Sequence, residues 1–70
     1  MTYQKGDTIE QTRNPGPVFV VLAESRMAEV DAKGGRYEPA EVVDARNLNE
    51  NEVVELLVST TQLVAKEVEG

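Results

Sequence analysis

The stretch from Leu48 to Val68, LNENEVVELLVSTTQLVAKEV, constrains this chain most, because it is the longest periodic apolar segment in a sequence of 70 residues. It opens with the signature of a helix start. Asn49 is placed to cap, Glu52 three residues on to return the bond, and Leu48 to clasp Val53 from outside the first turn. Wound at about 100° per residue, Val53, Leu56, Leu57, Leu63, Val64 and Val68 gather on one side, with Val54, Val58 and Ala65 on a flank. Glu52, Glu55, Ser59, Gln62, Lys66 and Glu69 take the remaining arc. The apolar sector spans roughly 220°, about twice the stripe a surface helix over one core requires. The valines and threonines also allow a strand. Val53 to Val64 shows no sustained alternation, however, so the pattern predicts a C-terminal amphipathic helix over residues 48–68.

The residues ahead of it read as strands separated by turns. Lys5-Gly6-Asp7 is a turn in which Asp7 bonds locally, and Thr8 to Arg13 is a first strand with Ile9 inward. Asn14-Pro15-Gly16-Pro17 is the strongest turn signal: Pro15 suits the first corner position and Gly16 the positive φ of the second. Val18 to Ala23 is a short continuous apolar run, rich in β-branched valine, and reads as the central strand. Met27 to Asp31 alternates, Lys33-Gly34-Gly35-Arg36 is a hairpin turn, and Tyr37 to Ala45 is a last extended piece that begins at an edge because of Pro39. The expected class is thus mostly β with one helix (α+β). It is one domain over residues 1–70, a bent sheet or barrel of about four strands in residues 5–46 followed by the helix that covers it.

Residues 5–46 resemble the small SH3-like barrels, KOW-type modules included. The features that carry the likeness are Lys5-Gly6-Asp7-Thr8-Ile9, the Gly16-Pro17 turn, Phe19-Val20-Val21, and the tail from Tyr37 to Val43. The aromatics that line the groove of peptide-binding SH3 domains have no counterpart, since Tyr3, Phe19 and Tyr37 are the only ones, and the basic surface of RNA-associated KOW modules is also lacking. The resemblance implies a shape rather than an activity.

Charge and composition narrow the function. Thirteen acidic residues against seven basic leave a formal charge of −6, which opposes a nucleic-acid backbone. There is no histidine and no cysteine, which removes the commonest general base, the usual nucleophile pairs and most transition-metal ligands. Ser25 and Ser59 have no evident base. The carboxylates Glu29, Asp31, Glu38, Glu41 and Asp44 read as solvated surface charges, and DAKGG is too sparse in oxygen for a calcium loop. No run is long enough to span a membrane, and a cytoplasmic setting is the simplest expectation.

The expected function is that of a non-catalytic interaction module with no cofactor, metal or small-molecule substrate. The surplus apolar flank of the helix, Val54, Val58 and Ala65, would meet a protein partner, most simply a second copy of the chain. On this reading Val58→Asp weakens association more than it disturbs the fold. The alternative is a nucleic-acid accessory role, in which Arg13, Arg26, Arg36 and Arg46 gather on one rim as an anion-binding patch.

Overall fold

The computed structural model describes residues 2–65, which form six strands, all paired antiparallel, and no α-helix. The strands are β1 (Thr8–Gln11), β2 (Val18–Val21), β3 (Arg26–Ala32), β4 (Arg36–Asn47), β5 (Glu52–Leu57) and β6 (Thr61–Ala65). A single 3₁₀ turn, Val58–Thr60, joins β5 to β6. The sheet runs β3-β4-β2-β1-β6, with β5 on the remaining side of β4.

The predicted helix over 48–68 is therefore wrong, and with it the α+β class. Its described part is a turn, two strands and the 3₁₀ turn between them; Lys66, Glu67 and Val68 lie outside the described residues. The apparent helix cap is a tight turn closing a hairpin. Asn47 Oδ1 accepts the backbone N–H groups of Asn49 and Glu50 at 2.9 and 3.1 Å. Asn51 then takes a positive φ of 55°, a conformation asparagine tolerates better than most residues. Beyond it, Val54 and Leu56 turn toward the core while Val53, Glu55 and Leu57 turn outward, which is strand alternation. The pattern was hidden because Val53 and Leu57 are apolar residues on the solvent side. Thr60 and Thr61 end the run by donating their hydroxyls to the carbonyls of Leu57 and Val58, at 2.8 Å each.

The first four strands lie close to their expected places, with revised limits. The glycines do what their turns require: Gly16 sits at φ 128°, Gly34 at 87° and Gly35 at 75°. The core joins Tyr3, Ile9, Phe19, Val21, Val43 and Ala45, with Val54, Leu56 and Val58 packed against it. Val58 is thus held by the core, so Val58→Asp becomes a substitution that disturbs the fold rather than a probe of association. Tyr3 is 5% exposed. Thr61 Oγ1 donates to the Val58 carbonyl and so accepts from the Tyr3 hydroxyl, 2.9 Å away. On the opposite face of β4, Val42 is buried between its register partners Arg26 and Leu57.

One strand sets the shape of the molecule. The twelve residues of β4 outlast any neighbour: residues 36–42 pair with β3, 45–47 with β2, and 42–47 with β5 along the other edge. From Arg36 to Glu41, β4 has only β3 beside it among the described residues. These two segments form a two-stranded arm standing out from the body, in a molecule measuring 44 × 23 × 18 Å.

Candidate functional site

The arm gathers the surface features that the rest of the fold does not use. Residues opposite each other in an antiparallel ladder share a face. Met27, Glu29 and Asp31 of β3 therefore lie beside Glu41, Pro39 and Tyr37 of β4 on one face. The other face carries Arg26, Ala28, Val30 and Ala32 beside Val42, Ala40, Glu38 and Arg36. On the first face Met27 is 55% and Tyr37 69% exposed, the latter the most exposed large apolar side chain described. Glu29, Asp31 and Pro39 are exposed there as well. An isolated two-stranded ribbon is marginal in water, and among the described residues this one is tied to the body only at its base.

Two sets of contacts hold that base. On one face the Arg26 guanidinium reaches Asp44 Oδ2 at 3.1 Å and Glu55 Oε2 at 2.7 Å, so it ties β3 across β4 to β5. All three side chains are about half exposed, and pairs of this kind contribute at most about 1 kcal/mol each. On the other face, Ser25 is buried and donates its hydroxyl to Glu41 Oε2 at 2.5 Å while accepting the Tyr3 N–H at 2.9 Å. Thr2 adds its N–H and its hydroxyl to the same carboxylate at 2.6 and 2.7 Å. The N-terminal segment is thereby latched to the arm. Ser25 has a carboxylate partner but almost no exposure to solvent, so its position suits a latch and not a nucleophile.

These donors, the Ser25 hydroxyl first and then the Thr2 N–H and hydroxyl, hold the Glu41 carboxyl below its ordinary value of 4.5, with desolvation opposing them. Because the folded value lies below the unfolded one, the latch contributes its stability above 4.5 and loses it as pH falls through the lowered folded value. Glu41→Gln is expected to melt below wild type at neutral pH, with the gap closing on acidification. Thermal melts of both proteins from neutral pH to about pH 3 check this. A gap independent of pH would contradict the latch.

The sequence-predicted sites are dispersed. Val54 and Val58 face the core, and only Ala65, in β6, is exposed. Arg26 sits at the base of the arm and Arg36 at its tip, six pairs apart and so separated by about 20 Å at strand spacing. Arg13 lies in the β1–β2 loop, and Arg46 lies on β4 four residues beyond the Arg26 register partner Val42. The four arginines do not form one rim. The arm face was missed although its signal was present: stretches of equal length flank Lys33-Gly34-Gly35, and the alternation of Met27 to Asp31 puts Glu29 and Asp31 on one side of a strand.

No group of three or more His, Cys, Asp or Glu side chains among the described residues is placed to hold a metal ion. No helix among them is long and apolar enough to cross a membrane. No family model matches the chain, and no curated protein or solved structure matches it either.

Proposed function

We propose that this chain is a non-catalytic protein-interaction module, working in the cytoplasm, that docks a partner through the β3–β4 arm. The observation that carries the proposal is the exposure of Met27 and Tyr37, 55% and 69%, on one face of a ribbon that projects from the body. Exposed apolar groups of this size on a projecting element favour contact with another chain. The arm replaces the C-terminal helix as the docking element, since the described part of that segment forms two strands joined by turns. The likeness of residues 5–46 to the small SH3-like modules belongs to the same reading and adds a shape, not an activity. A polyanionic partner is disfavoured by the charge of −6 and by the dispersed arginines.

The test is site-specific photo-crosslinking in cells, with the photoreactive residue at position 37 on the arm or at position 53 on the body. Position 37 is expected to give a discrete protein adduct that position 53 does not. With that partner purified, Met27→Ser/Tyr37→Ser should bind about tenfold more weakly or worse, with an unchanged melting temperature. Equal adducts from both positions, or wild-type affinity in the double variant, would overturn the proposal.

A further inference from the structure

The arm also has an open edge, and its chemistry narrows the partner. Among the described residues β3 pairs with β4 along one side and with nothing along the other, leaving seven residues, about 23 Å of strand, with an unpaired edge. Natural sheets guard such edges with charged side chains, lysine above all, with proline or with bulges. The open edge of β4 has Pro39, which has no N–H to offer. The strand β3, RMAEVDA, has no proline, glycine or lysine, and its one cation, Arg26, is engaged by Asp44 and Glu55. What β3 carries instead is Glu29 and Asp31, both exposed and both on the face of Met27 and Tyr37.

Those two carboxylates discriminate between occupants. Pairing β3 with its own copy about a two-fold axis at Glu29 sets Glu29 against Glu29, and about Val30 it sets Glu29 against Asp31. Like charges directly opposite are destabilising, and each copy brings a net −6 besides. A strand bearing cations at alternate positions meets the reverse situation. Its basic side chains fall beside Glu29 and Asp31, and the one beside Asp31 comes within reach of the exposed Tyr37 ring, which attracts a cation through its face. Its intervening side chains fall on the other face, beside Ala28, Val30 and Ala32, where the two alanine methyl groups leave room for bulkier aliphatic groups.

We infer that β3 accepts, as an added strand along its open edge, an extended segment of another protein in which Lys or Arg alternates with bulky aliphatic residues. This rests on the arm being the docking element. Backbone hydrogen bonds supply the register-independent part of the binding, and the alternation on the two faces supplies the selectivity.

The probe is a blocked heptapeptide of alternating lysine and valine, titrated into the full chain and followed by amide NMR and hydrogen exchange. Its controls are an isomer with the lysines grouped at one end and a glutamate–valine counterpart. The alternating peptide is expected to protect β3 amides and to bind about tenfold more tightly than the grouped isomer, whose net charge is the same. Methylating one alternate set of its backbone nitrogens should abolish binding, and methylating the other set should leave it intact, since only one set faces β3. Glu29→Lys/Asp31→Lys should transfer the preference to the glutamate–valine peptide. Equal binding of the two lysine isomers, protection elsewhere than β3, or unaltered binding to the charge-reversed variant would overturn the inference. Adducts from position 37 without any β3 protection by the alternating peptide would overturn this partner chemistry and leave the docking role standing; loss of the position-37 adducts would remove both.

Discussion

Replacing Phe19 by alanine is expected to remove about half of the stability of the chain. Phe19 is 5% exposed, opposite Ile9 in the β1–β2 ladder, and it packs with Tyr3, Val21, Val43 and Ala45 in the core. Phe→Ala in such a site costs about 3–5 kcal/mol through lost burial and the cavity left behind. A domain of 70 residues has a total stability of about 4–10 kcal/mol. There is no disulfide to offset the loss, since the chain has no cysteine. Phe19→Leu, which keeps most of the volume, should cost only about 1–2 kcal/mol and remain folded. Chemical denaturation of both variants measures the difference. A cooperative transition for Phe19→Ala with a midpoint near wild type would place Phe19 outside the core.

Aspartate at two adjacent positions should give opposite results. Val54 faces inward from β5 and packs against the core, whereas its neighbour Val53 is 59% exposed. Val54→Asp introduces a carboxylate beside Val43 and Ala45 with no partner for it, and it should cost about 2–4 kcal/mol. Val53→Asp exchanges an exposed side chain and should stay within about 0.5 kcal/mol. A helix through this segment would place both residues on its broad apolar sector and make their costs comparable. The ratio of the two denaturation shifts therefore reads the alternation directly. Equal losses would contradict the strand.

Comparing these segments shows what was legible in the sequence. The run Val18–Val21 and the turns at Gly16 and Gly34-Gly35 announce themselves, because β-branching and positive φ are local requirements. Ile9 was correctly expected to point inward and is fully buried. The segment after Asn47 was not legible. Asn47 and Asn51 flank three residues of a turn, but Asn49 and Glu52 imitate a helix cap equally well. The burial of Tyr3 was also out of reach, because the hydroxyl it bonds belongs to Thr61, at the far end of the described chain.

The candidate site divides along the same line. The acidic alternation of Glu29 and Asp31 is a property of the strand sequence itself, whereas the exposure of Met27 and Tyr37 depends on β4 running past its neighbours. Nothing within residues 26–41 states whether another strand will cover that face. By itself the sequence determined the places of the turns at Gly16 and Gly34-Gly35, the acidic balance and the strong β tendency of Val18–Val21, because backbone sterics and formal charge act within a few residues. Whether Val53 to Ala65 became helix or strand, which of its valines met the core, and how far the arm stood clear were decided by pairing between distant segments. A short strand apolar on both sides has the composition of a broad helix, and only the ladder with β4 distinguishes them.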